Sequence, residues 1–238
     1  MNDLTENDFL TVSESFISIQ GEGETMGVPA VFLRLAGCNL LCEGSGWICD
    51  TIEVWRKGIK TPFNEVLIGD AFDKLRGGYH LVITGGEPLL WQNKLERFLI
   101  WFNAAYGWLP IIEVETNGTI QPSAYLLATV DHWNCSPKLA NSGETVSRRI
   151  NAFAVSRISN YGKSPIFKFV VNDEADVKEA IRDYGSLVAL DSIYLMPAGS
   201  TQAELHTTRR ITAEAAIKYG LHYSDRLHIA IWNEKTGV

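Results

Sequence analysis

Three cysteines, Cys38, Cys42 and Cys49, fall in the stretch CNLLCEGSGWICDT, which continues into Asp50 and Thr51. Three thiols suit neither a paired disulfide framework nor a closed four-ligand zinc site. Three thiolates can hold three corners of a [4Fe–4S] cluster and leave the fourth iron open to chelate a small molecule through an amino and a carboxylate group. Zinc held by the three thiols and a distant histidine is the competing metal reading. Three incidental thiols is the plain one. Cys135 stands alone in a β-like run and reads as a small core residue.

A second set of polar residues recurs where apolar runs end: GGEP (85–88), ETNG (115–118), CSPK (135–138) and MPAG (196–199). In parallel β/α folds ligands bind at the carboxyl ends of the strands, so the four motifs are expected on one surface. Each is also an ordinary turn composition. Lys168 alternates with apolar residues in FKF, facing either the inner surface or an edge. His228 sits in RLHIAIW, where a core histidine is the plain reading and a pocket-closing one the functional reading.

The elements that must position these residues alternate along the chain. Residues 16–20 and 31–35 read as a first strand pair, and 61–75 as a helix with Thr61 as N-cap before Pro62. Strands are expected at 80–86, 111–118, 132–137, 166–171 and 193–199, with 227–232 as the closing strand. Helices are expected at 89–106, 122–129, 174–184 and 203–219. The order implies an α/β fold, a partial (open) parallel β/α barrel of about six β/α units, short of the eight of a closed barrel. With 238 residues, 46% hydrophobic content and no linker-like tract, residues 1–238 are expected to form a single domain.

Net charge is −7 and the pI near 5.3, which offers no global reason to bind nucleic acid. No apolar run is long enough to span a membrane. The N-terminus is acidic and polar, unlike a secretory signal, so a cytoplasmic chain with reduced thiols is expected.

The cysteine loop resembles the radical S-adenosylmethionine (SAM) signature, and GGEP resembles that superfamily's second motif. The ordered set SIQGEGETMGVPAVFLRLAGCNLLC, CDT, VITGGEPLL, ETNGT, SPK, KFVV, LMP and RLHIAIW is similar to the 7-carboxy-7-deazaguanine synthases, from residue 18 to near the C-terminus. One feature departs from the pattern. The usual CxxxCxxC is here Cys38-x3-Cys42-x6-Cys49, with Gly44 and Gly46 supplying backbone freedom for the extra residues.

The resemblance implies a radical SAM enzyme of queuosine-type deazapurine biosynthesis. It would convert 6-carboxy-5,6,7,8-tetrahydropterin to 7-carboxy-7-deazaguanine by radical ring contraction with loss of ammonia. The implied cofactors are a [4Fe–4S] cluster on Cys38, Cys42 and Cys49, SAM, and Mg2+ on Thr51, with Asp50 organising the loop. Gly86, Glu87, Glu115, Asn117, Ser136 and Lys138 are the SAM candidates. Gln20, Glu22, Arg34, Thr84 and His228 are the substrate candidates. A carboxylate and a carboxamide, Glu22 and Gln20, suit the donor–acceptor edge of a pterin. Arg34, on an otherwise apolar strand, needs an anion, either a substrate carboxylate or an internal carboxylate such as Glu22. Implied partners are the pterin, an external flavodoxin-like electron donor and a second copy in a homodimer, with Trp101 and Trp108 as candidate interface aromatics. No direct nucleic-acid or membrane contact is expected.

Two alternatives stand beside this reading. A radical SAM activase acting on a partner protein would share the cysteine loop and GGEP, but not QGEG or RLHIAIW. A non-catalytic metal-binding relative would carry a structural zinc.

Overall fold

The computed structural model of the chain describes residues 4–44, 46–235 and 237. Strands β1 (Phe9–Ile19) and β2 (Pro29–Leu35) form an antiparallel pair in which Glu14 faces Arg34 and Phe16 faces Phe32. Then come α1 (Ile52–Trp55), edge strand β3 (Ile59–Pro62), α2 (Phe63–Val66), α3 (Asp70–Arg76) and β4 (His80–Gly85). A short 3-10 turn leads to α4 (Gln92–Tyr106), β5 (Ile112–Thr116), α5 (Ala124–Thr129) and β6 (His132–Cys135). The chain continues through α6 (Val146–Arg149), α7 (Ala152–Tyr161), β7 (Pro165–Val171), α8 (Glu174–Tyr184) and β8 (Ile193–Pro197). It closes with α9 (Gln202–Tyr219), β9 (His222–Tyr223) and α10 (Leu227–Trp232).

All nine strands belong to one open sheet in the order β3-β1-β2-β4-β5-β6-β7-β8-β9. From β2 to β9 every neighbouring pair is parallel, and β1 runs against the rest, pairing antiparallel with both β2 and β3. The expected partial barrel is therefore present.

Strand alternation sorts the side chains into two layers. Val31, Leu33, Leu81, Ile83, Ile112, Val114, Trp133, Phe167, Phe169 and Leu195 join the main core beneath the helices. The intervening positions, among them Arg34, Thr84, Glu115, Asn134, Lys168 and Met196, line the concave face. An inward face so rich in polar groups is useful only if those groups are paired or meet a ligand.

Two expectations need correction. Residues 61–75 are not one helix. Thr61 pairs with Leu10 and Pro62 with Phe9 in the edge strand, where a proline's missing N–H costs no ladder bond, and Gly69 at φ +57° separates α2 from α3. LHIAIW is not the closing strand but α10, because its first N–H is taken by the Gly21 carbonyl at 2.8 Å instead of a sheet partner. The last strand is the two-residue β9. Helices α6 and α7 were not anticipated. Trp101 and Trp108 are half-buried, packed against the core in an aromatic cluster with Phe63, Phe72, Phe98 and Phe102. Cys135 is fully buried in the core, as read. No helix among the described residues is long and apolar enough to cross a membrane.

Candidate active site

The carboxyl ends of the parallel strands, the cysteine loop and α10 enclose a cavity of about 1010 Å³. Cys38, Cys42 and Cys49 all line it, and all three are free thiols. The wide second gap closes on itself. The Cys49 N–H donates to the Cys42 carbonyl at 2.9 Å, Gly44 N–H donates to Trp47 O at 3.2 Å, and Glu43 bridges Ile48. Glu43 and Gly44 thus pair back against Trp47 and Ile48, and Cys42 and Cys49 become backbone neighbours. Trp47 is held by its Nε1–H to Asn141 Oδ1 at 3.0 Å, and the Lys138 ammonium lies 5.5 Å from its ring centre.

The three thiols lie within Coulombic reach of one another. Burial, opposed by Lys138 and reinforced by Cys49 and Cys38, pushes the Cys42 thiol up to about 11. Cys38 is also raised, chiefly by burial. A thiol raised in this way is a poor nucleophile but becomes a strong ligand once a metal displaces its proton. Among the described residues no three His, Cys, Asp or Glu side chains gather around a point that would take a single metal ion. The fit to a cluster rests on donor chemistry: three free thiols on one cavity wall, with a cation beside them to offset thiolate charge.

The GGEP turn is pressed onto this loop. A side chain at Gly86 would meet Gly37 O at 2.4 Å and Cys38 Cβ at 2.6 Å, and Glu87 N–H donates to Gly37 O at 2.9 Å. Gly86 therefore lets the end of β4 touch the start of the cysteine loop. Glu87 itself lies behind the wall, not in it. It is fully buried and accepts from Thr116 Oγ1 at 2.8 Å, Asn117 N–H at 2.7 Å and Leu89 N–H at 3.0 Å. Burial, only partly offset by those donors, raises its carboxyl. Glu115, Asn117, Ser136 and Lys138 do line the cavity, with the Lys138 ammonium donating to Ser136 O at 2.8 Å and Oγ at 3.0 Å.

Across the cavity stands an ion network around the buried Lys168. Glu22 accepts from Lys168 Nζ at 2.9 Å and from Arg226 Nε at 3.1 Å, one cation on each oxygen. Gln20 Oε1 accepts the Glu22 N–H at 3.2 Å, and its Nε2 donates to Glu113 at 3.3 Å and Glu115 at 3.4 Å. Each oxygen of an ionised carboxylate has two lone-pair sites, so Glu22 keeps acceptor capacity toward the cavity. Arg34 finds its anion in Glu14, its cross-strand neighbour, at 2.8 Å, not in Glu22. Thr84 is nearly buried on the wall beside it. His228 projects from α10 against Gly21, where any side chain would lie 2.1 Å from its Nδ1. Thr51 occupies the N-cap position of α1 without spending its hydroxyl on a cap, and Oγ1 lies 3.6 Å from Cys49 Sγ.

Arg226, which lines the cavity, and Glu113, which lies behind it, escape the sequence reading. Arg226 begins RLHIAIW, but only its histidine was taken up; two acidic residues far away in sequence, Glu22 and Asp50, gave no signal of pairing with it. Glu113 is fully buried at the closed end of the barrel. It accepts from Thr25 Oγ1 at 2.8 Å and Asn134 Nδ2 at 2.9 Å, and pairs with His80 Nδ1 at 2.6 Å. Its signal was available: it alternates with Ile112 and Val114, so it must face inward.

Comparison with known proteins adds to this geometry. The 4Fe-4S single cluster domain family matches residues 19–146. The 7-carboxy-7-deazaguanine synthase of Pyrobaculum aerophilum is 36% identical over 234 residues, aligning 95% of this chain with 96% of that protein. The 7-carboxy-7-deazaguanine synthase of Halobacterium salinarum is 33% identical over 251 residues, covering 94% and 91%. The crystal structure of QueE from Escherichia coli shares the fold with a TM-score of 0.66, over 92% of this chain and 95% of that one, at 24% identity.

Proposed function

The chain belongs to the 7-carboxy-7-deazaguanine synthase family, and from that premise we propose that it makes 7-carboxy-7-deazaguanine from 6-carboxy-5,6,7,8-tetrahydropterin by radical ring contraction with loss of ammonia. The observation that carries this reading is the facing of three free thiols and a Glu22–Lys168–Arg226 network across one cavity. Cys38, Cys42 and Cys49 would hold a [4Fe–4S] cluster by three thiolates. When bound, cluster and SAM supply the 5′-deoxyadenosyl radical that takes a hydrogen atom from the substrate.

The remaining work falls to the chain's own residues. Gly86, whose missing side chain leaves room for Gly37 and Cys38, presents its backbone to SAM beside the cluster loop, and the Lys138 ammonium with Ser136 receives the SAM carboxylate and ribose. Glu115 and Asn117 form the floor beneath SAM, while Glu87 keeps the GGEP turn in shape. Gln20 and Glu22 read the pterin edge, and Thr84 and His228 close around it. Arg34, with its charge shared by Glu14, faces the pterin carboxylate. Thr51 would offer Mg2+ a hard oxygen. Asp50 organises the loop through Arg226. Lys168 holds Glu22 ionised: burial alone would raise that carboxyl, but Lys168 and Arg226 keep it well below the usual range.

The free thiols fit a reducing, cytoplasmic setting. A single domain over 1–238, a homodimer and a flavodoxin-like electron donor complete the proposal.

The test is anaerobic reconstitution followed by incubation with SAM, reductant, Mg2+ and 6-carboxy-5,6,7,8-tetrahydropterin. Formation of 7-carboxy-7-deazaguanine, identified by mass, is the expected result. A protein with intact cluster and bound SAM that leaves the tetrahydropterin unchanged would overturn the substrate assignment.

A further inference from the structure

The Arg226 guanidinium joins three segments distant in sequence. Its Nε donates to Glu22 Oε1 at 3.1 Å, its Nη1 to the Gly199 carbonyl at 2.5 Å, and its Nη2 to Asp50. Glu22 lies in the loop proposed to read the pterin. Asp50 is covalently next to Cys49 and immediately precedes Thr51. One planar group therefore grips both the substrate loop and the cluster loop, with the β8–α9 turn as its third support.

The grip has little slack. The Gly21 carbonyl accepts the Leu227 N–H at 2.8 Å, and His228 fills the space where Gly21 lacks a side chain. The residues flanking Arg226 are thus fixed to the same loop that carries Glu22. The other oxygen of Glu22 is held by Lys168, which is almost wholly buried. A guanidinium has its donors in a rigid fork, so a shift of one carboxylate reorients the donor presented to the other; a lysine ammonium, a point charge on a flexible stem, would not transmit it.

Building on the pterin reading above, we infer that Arg226 is a positioning residue that couples pterin binding at Glu22 to the seating of the cluster loop at Asp50. Such coupling is reciprocal: a ligand engaging Glu22 steadies the cluster loop, and a seated cluster loop tightens the pterin site by the same factor. Neither carboxylate needs to touch the other's ligand, because both bias the position of one shared cation.

The test uses the cluster-loaded protein and 6-carboxypterin, the oxidised relative of the substrate, as an unreactive probe. Iron loss to a chelator is followed by bleaching of cluster absorbance, with and without saturating pterin, whose occupancy is read separately by fluorescence. In the wild-type protein bound pterin should slow iron loss by at least about fivefold, the lower end of ordinary coupling between sites. Arg226→Gln should remove that protection at equal iron content and equal pterin occupancy. Asp50→Asn, which weakens only the cluster-side grip, should lose protection at saturating pterin and, by the same reciprocity, bind pterin more weakly by the coupling factor, and it carries the test if Arg226→Gln does not load a cluster. A merely structural role for Arg226 would shift thermal stability and leave the ratio of the two bleaching rates unchanged.

Protection retained in either loaded variant would overturn the inference. So would a wild-type protein that binds pterin without protecting its cluster. A wild-type protein that binds no 6-carboxypterin would overturn the substrate reading itself, and the coupling with it.

Discussion

Burial alone would push the Glu22 carboxyl up, yet Lys168 and Arg226 hold it well below the ordinary range, so it stays ionised at neutral pH. His228, a few residues from it in space, responds the other way. Burial pushes the imidazole below its usual 6.5, against the pull of Glu22, so the folded protein keeps it neutral. The consequence for stability has a definite sign. Below 6.5 the unfolded chain takes up a proton that the folded chain does not, so stability falls as pH drops from 6.5 toward the depressed value. His228→Gln should remove that loss, which for one proton cannot exceed about 1.4 kcal/mol per pH unit. Urea midpoints at neutral and mildly acid pH check this. Parallel curves for wild type and variant would show that His228 titrates normally.

Among the elements, the segment between Cys42 and Cys49 is the one built by contacts and not by its own periodicity. A side chain on Gly44 would lie 2.0 Å from Asn141 O and 2.5 Å from Gly143 N, and backbone atoms cannot swing aside. Gly44→Ala should therefore lift Glu43 and Gly44 off the segment before α6 and speed iron loss to a chelator, while the rest of the fold persists. Gly69→Ala is the matched control. Its side chain would meet nothing within 4 Å, although φ is +57°, so it should lower stability by about 1 kcal/mol and leave iron retention untouched. Equal iron loss from the two variants would mean that the Gly44 contact does not seat the loop. At this scale the sequence was a fair guide where a strand or helix packs by its own pattern. The span 174–184 coincides with α8 because Asp173 caps it and apolar residues recur at helical spacing. It misled in RLHIAIW, where six residues with strand-like alternation are wound into a helix by anchoring bonds to distant loops.

For the whole molecule, Glu113 ties together the β1–β2 loop, β4, β5 and β6 at the closed end of the barrel, where it is fully buried. Replacing it with leucine leaves Thr25, Asn134 and Gln20 without that acceptor. The expected cost is on the order of 3–5 kcal/mol, as for other buried charged groups that lose a partner. Because both halves of the sheet share one core, far-UV circular dichroism and tryptophan fluorescence should report a single coincident transition, shifted to lower denaturant in Glu113→Leu. Two separated transitions would argue for more than one folding unit.

Residue type and order along the chain were enough to determine the grouping of three thiols in one loop, the polar strand ends and the α/β alternation, since these are local and covalently spaced. Cys38, Cys42 and Cys49 needed no neighbour to be legible as three thiols of one loop, and GGEP and ETNG needed only the strand before them. Only the tertiary structure decided which charges meet. Glu14, not Glu22, neutralises Arg34; Glu22 is shared by Lys168 and Arg226; and Asp50 is drawn to a residue 176 positions away. Ion pairs act through space between side chains whose separation the sheet sets, so no pattern of types along the chain specifies the partner. The same holds for the six residues between Cys42 and Cys49. Their length forced a detour, but the anchor for Gly46 and Trp47 is Asn141, on a segment far along the chain.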